Sequence, residues 1–321
     1  MAAPLKSFAD RTTAVILSNC VKKRFSLPGS SYSKRSSGTY SSNSDENYCV
    51  DLVRKHDYEN FLCTLLLPES YRSAAFAIRA FNVEIAQVRD VVTDKKVGQM
   101  RMQFWKDSIE RVFQGNPPES PICLQLAREL ETKKFSKAWF KRIIEKRDAQ
   151  LSDQGFKSIA ELEEYAENTV SSIQYLLLQA AGVEDIHADH AASHIGKAVG
   201  IVTALRSVPY HSGRGRVYIP YELLMKHNVS ETSIARGSQE QPVRDAMFDI
   251  ASQAQSHLKK ARTLQPNIPK EAYVTFLSTV SCNSYLQQLQ EFDFDVFHSK
   301  LQRRKHFLPL SLWWHKSRKK Y

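Results

Sequence analysis

The chain has 321 residues, with 45 Lys and Arg against 34 Asp and Glu, for a formal net charge of +11. Sixteen Phe, thirteen Tyr and four Trp need a core, which excludes disorder throughout, and 11 Gly with 12 Pro exclude a collagen-like fibre. No apolar run reaches the ~18 residues that span a bilayer, so the positive charge points to nucleic acid, a membrane surface or a targeting segment.

Residues 1–44 differ from everything after them. They hold seven basic residues, a single acid (Asp10) and dense serine, a net +6. A basic, Ser-rich, acid-poor start is the composition of a mitochondrial transit peptide, with a basic tail of no address as the competing reading. Residues 45–302 read as one helical domain. Ala74, Ile78, Phe81, Ile85, Val88 and Val92 recur at steps of four and three, which predicts one buried stripe. Residues 97–114 carry Met100, Phe104, Ile109, Val112 and Phe113 and end at Gly115. Ser120-Pro121 and Ser136 open two further helices, the second carrying Phe140, Ile143 and Ile144. Ser158 with Glu161 forms a capping box ahead of Leu162, Tyr165, Ile173 and Leu177, and Gly182 ends that run. Helices are expected over 187–206, 242–264 and about 269–290, with 209–220 irregular between the first two. No period-two alternation and no hairpin dipeptide occurs, so the fold class is all-α, with roughly ten helices.

Five cysteines, Cys20, Cys49, Cys63, Cys123 and Cys282, are widely spaced without a CxxC pair, the pattern of reduced thiols rather than a disulfide scaffold or zinc site. His187, His190 and His194 invite a metal reading through the i,i+4 pair His190/His194. No third ligand is identifiable, and a polar helix start is the simpler account. No nucleophile elbow, Walker loop or dinucleotide fingerprint is present. On the helix around 196–207, Gly196, Gly200, Thr203 and Ser207 share a small-residue face, which suits either close helix packing or a cavity.

Leu205-Arg206-Ser207-Val208 with Gly215-Arg216-Val217-Tyr218-Ile219-Pro220 resembles the second signature of the squalene/phytoene synthase family, and Arg79-Ala80-Phe81-Asn82 resembles its first. The resemblance covers roughly residues 50–290. It implies a single all-α isoprenoid-synthase domain. Family enzymes join two prenyl diphosphates head to head, using paired aspartates four residues apart on two facing helices to hold Mg²⁺ against diphosphate. By this resemblance the motif positions fall on Ala86, Gln87 and Asp90 in one helix and on Ser207 and His211 in the other, so one aspartate, Asp90, remains. Glu84 lies near the first motif but off the Ala86/Asp90 face. Candidate phosphate or lipid contacts are Arg79, Arg206, Arg216 and Tyr218, with packing or a structural ion pair as the competing role.

Ala80 to Glu84, Met100 to Trp105 and His187 to His194 resemble a non-catalytic mitochondrial branch of that family, concerned with the assembly of respiratory complex I (NADH:ubiquinone oxidoreductase). That branch implies no catalytic residues, no cofactor and no metal. It implies complex I subunits or other assembly factors as partners, peripheral contact with the matrix side of the inner membrane, and a prenyl or lipid occupant for the old cavity. The alternative, from a different class, is an active or divergent prenyl-diphosphate synthase. Residues 303–321 hold seven basic residues, no acid and a Trp pair, a net +7 that reads as an interfacial anchor or as a tail packed on the body. The remaining 45–302 then nets −2, which argues against a nucleic-acid binder.

Overall fold

A computed structural model describes residues 42–92, 94–152 and 155–321. The expected transit segment and Cys20 lie outside the described residues, except that Ser42 already begins the first helix. Among the described residues there is no strand. The described residues form fourteen α-helices in succession: α1 (Ser42–His56), α2 (Tyr58–Leu65), α3 (Glu69–Val91), α4 (Lys95–Phe113), α5 (Pro121–Leu130), α6 (Lys137–Ala149), α7 (Ile159–Ala166), α8 (Ser172–Ala180), α9 (Ile186–Ser212), α10 (Tyr221–Lys226), α11 (Glu231–Ala235), α12 (Gln241–Leu264), α13 (Ser278–Glu291) and α14 (Leu308–Arg318).

The expected stripe of α3 is the centre of one apolar cluster, which α1, α4, α5, α6 and α8 complete. Phe81 meets Trp105 and Phe140 edge-on, with ring centroids 5.6 and 5.2 Å apart. A second cluster joins α7, α9, α10, α12 and α13, with Met247, Ile250, Ala254 and Leu258 of α12 turned inward as their spacing predicts. Four caps fix α-helix starts: Asp94 accepts from Lys96 N, Ser158 from Glu161 N, Asp185 from Ala188 N and Ser230 from Ser233 N. Ser120 and Ser136 occupy cap positions, but their hydroxyls make no cap bond. The box at Ser158 is shifted by one residue, because the Glu161 carboxylate accepts from Lys157 N rather than from Ser158 N.

The structure departs from the expected elements in four places. In α4 the inward residues are Met102, Trp105, Ile109 and Val112, while Met100 and Phe104 are exposed. Helix α9 does not stop near 206 but runs through Pro209 to Ser212. Proline there removes one amide donor in the last turn, and the chain closes through Arg214 N to His211 O and a left-handed Gly215. The expected helix 269–290 is split into a 3₁₀ segment, Lys270–Phe276, and α13. The Thr275 hydroxyl donates to Ala272 O within the 3₁₀ segment, and the Thr279 hydroxyl donates to Phe276 O across the junction.

The fourth departure lies between α7 and α8, where Glu167–Ser171 form a π turn. Its wider backbone brings Ser171 against Gly196, and Ala166 against Gly200. A Cβ at either glycine would fall well inside contact distance of that backbone or side chain. The small face of α9 thus serves close packing at its N-terminal end, and one turn further along it opens into a cavity.

The four described cysteines are buried and free. Burial pushes the Cys49, Cys63 and Cys282 thiols up to about 12 and Cys123 to about 11, which leaves them protonated and inert.

Candidate functional site

The cavity between α3, α6, α7, α9 and the segment after α9 has a volume of about 270 Å³. Ala86 and Asp90, one turn apart on α3, line one side, and Ser207 and His211, one turn apart on α9, line another. The two expected motif pairs therefore share one site. Gln87 is not among the lining residues; it lies one position off the Ala86/Asp90 face.

The charge in this cavity is mostly positive. Arg89 from α3 lays its guanidinium over the Tyr218 ring, 3.9 Å from the centroid, and His211 meets the same ring edge-on at 4.5 Å. Arg147 from α6 donates Nη2 to Asn82 Oδ1 at 2.7 Å and Nη1 to Asn82 O at 3.3 Å. Its buried Nε has no hydrogen-bond partner among the described residues. Burial lowers the Arg147 pKa from its ordinary value, and nearby Tyr165 opposes the shift. Asp90 is the single carboxylate of the lining. A Mg²⁺ cluster bridging to diphosphate needs several oxygen ligands, and two guanidiniums with one carboxylate do not provide them. Among the described residues, no group of three or more His, Cys, Asp or Glu side chains is placed to hold a metal ion.

Of the four candidate phosphate contacts, Tyr218 alone lines the cavity. Arg79 is buried elsewhere along α3, beside Asp57 and Cys63. Burial lowers its pKa, opposed by Asp57. Arg206 is on the outer side of α9, where it holds Glu59 of α2 with two bonds of 2.8 and 3.0 Å. Arg216 is half-buried outside the lining, its backbone N bonded to His211 O at 3.0 Å. Glu84 accepts from Tyr48 OH at 3.4 Å, away from the cavity. Sequence reasoning passed over Arg89 and Arg147. Arg89 carried a usable signal, since it sits one turn after Ala86 and beside Asp90.

The histidines also separate. His187 and His190 are exposed, and His194 turns inward to place Nδ1 3.0 Å from His257 Nδ1. Burial, then His257, Lys197 and Lys260, pushes the His194 pKa down to about 4, so His194 is a neutral ring at pH 7. On the far side, His257 Nε2 lies 3.1 Å from Glu163 Oε1.

The sequence model of squalene/phytoene synthases matches residues 53–310 of this chain. The chain belongs to the squalene/phytoene synthase family. Among its curated relatives in that family, the bovine protein "NADH dehydrogenase (ubiquinone) complex I, assembly factor 6" is 50% identical over 276 residues, covering 86% of this chain and 83% of that one. The human protein of the same name is 47% identical over 298 residues, covering 92% and 90%. Among solved structures, a dehydrosqualene synthase in complex with ligand superposes with a TM-score of 0.74 at 17% identity, over 86% of this chain and 96% of that one. The family's isoprenoid-synthase architecture, expected from the signatures at Arg79 and Gly215, is thus the fold observed.

Proposed function

We propose that this squalene/phytoene synthase family member promotes the assembly of respiratory complex I and does so without prenyl-transfer catalysis, in peripheral contact with the matrix side of the mitochondrial inner membrane. The observation that carries the reading is identity of about one half, across 86% of the chain, with relatives named for complex I assembly. Two features of the cavity support the non-catalytic part. A prenyl diphosphate ionises only when its leaving group is neutralised, and the metal ligands for that task are reduced to Asp90. The volume of about 270 Å³ is also at the low end for ligand pockets, which suits a short occupant better than two prenyl chains.

The cationic lining supports a binding role for the cavity. Arg89, Arg147 and Tyr218 suit the anionic end of a short prenyl or lipid occupant, and complex I subunits or fellow assembly factors would be the protein partners. Deleting the gene and resolving respiratory complexes on native gels tests the role: a selective loss of mature complex I is expected, and an unchanged level contradicts it. Incubating the purified protein with farnesyl diphosphate and Mg²⁺ tests the chemistry. No condensed product is expected, and catalytic turnover would establish the synthase alternative instead.

A further inference from the structure

Helix α14 is attached to the body by one face. Leu308 and Leu312, four residues apart, are buried against Cys63, Leu277 and Val280. Beyond the helix, Tyr321 is buried on Phe276 and donates its hydroxyl to Ala261 O at 3.1 Å. The segment is therefore held at both ends.

The outward face is where a surface helix ordinarily carries polar residues. Here, at ~100° per residue, Phe307, Leu310, Trp313 and Trp314 fall on the side opposite Leu308 and Leu312. They are 81%, 63%, 55% and 49% exposed. Lys316 and Arg318 flank this apolar arc on its two edges, and the Arg318 guanidinium lies 4.0 Å from the Trp314 ring centroid. Residues 303–321 contain seven basic side chains and no acid, whereas residues 45–302 net −2.

We infer that the outer face of α14 docks on an anionic phospholipid bilayer, with Phe307, Leu310, Trp313 and Trp314 inserted at the headgroup level and Lys316 and Arg318 against lipid phosphates. The charge selects the occupant: an apolar arc flanked by Lys316 and Arg318, in a segment without an acid, complements a negative surface. Tryptophans that present an apolar ring and a polar N–H suit the interface between headgroup and acyl chain. Docking through one buried face keeps the helix parallel to the body surface, so the protein would lie on a bilayer. No helix among the described residues is long and apolar enough to cross one. The inference rests on the membrane contact proposed above, but not on the assembly role.

Flotation of the purified full chain with vesicles tests it. Binding is expected to phosphatidylcholine:phosphatidylglycerol (7:3) vesicles and not to phosphatidylcholine alone, weakening as salt rises. Trp313→Ser/Trp314→Ser should bind on the order of tenfold more weakly with an unchanged melting temperature. Lys316→Glu/Arg318→Glu, which alters only the charge, should also weaken binding. The inference is overturned if the wild-type chain stays with the aqueous fractions, or if the tryptophan variant floats as well as wild type. It is equally overturned if sedimentation shows a dimer that the variant splits, since the face would then cover a second copy. A wild-type chain that supports complex I assembly in cells yet fails to bind vesicles would count against this surface alone, while one that binds vesicles yet leaves complex I unassembled would count against the assembly role alone.

Discussion

A methyl group at Gly196 has nowhere to go, because the backbone of Ser171 occupies the space a Cβ would take. Gly196→Ala should cost about 1–3 kcal/mol, the usual range for overpacking a close contact. Differential scanning calorimetry should show a melting temperature several degrees lower. Gly213→Ala is the control, since its Cβ meets nothing nearer than 3.7 Å, and it should leave the transition nearly unmoved. His194 gives a pH signature. Its folded pKa of about 4 lies below the ordinary 6.5, so both states are neutral above 6.5 and the stability is fully present there. As pH falls from 6.5 toward 4, the unfolded chain takes up a proton that folded His194 refuses, and stability is lost. Glu163 and Glu167 are held below the ordinary carboxylate range, so their losses come at lower pH. The drop in urea midpoint between pH 7 and pH 5 should therefore shrink in His194→Gln. At this scale the site was partly legible in sequence. Ala86, Asp90, Ser207 and His211 meet because each pair obeys helical spacing, which sequence shows directly. Arg147 reaches the cavity from α6 through tertiary packing, and nothing in its local sequence announces that.

At the scale of elements, α14 depends on Leu312, which is fully buried against α2 and α13. Leu312→Ala should cost about 2–5 kcal/mol of its docking, and limited proteolysis should then cut within 303–318 well before the rest of the chain. Elements whose burial follows a repeating stripe, α3 and α12 above all, were legible in the chain. Elements set by hydroxyl-to-carbonyl bonds were not. The π turn at Glu167–Ser171 is lined by such bonds from Thr169 and Ser172, and the 3₁₀ segment before α13 by those of Thr275 and Thr279. These bonds change the helical pitch without changing the apolar pattern, so periodicity continues across the break. Helix α4 shows the converse. Met100 and Phe104 are apolar and exposed, because the phase fixed by the Asp94 cap and by Trp105 leaves them on the outer side.

At the scale of the whole molecule, the architecture of a prenyl synthase surrounds a cavity with two guanidiniums and one carboxylate. The net charge of +11 lies at the two ends of the chain rather than in residues 45–302, and the C-terminal share lies in the segment proposed to meet an anionic surface. As proposed, this protein promotes complex I assembly through binding, with no metal chemistry at Asp90. Asp90 is exposed and has room for an amide, so Asp90→Asn should fold normally. The direct measurement is the level of mature complex I on native gels in gene-deleted cells that re-express Asp90→Asn at the wild-type amount. Full restoration is predicted. A folded, equally abundant Asp90→Asn protein that leaves complex I at the deletion level would contradict the account, because the last carboxylate of the old metal site would then be doing chemistry.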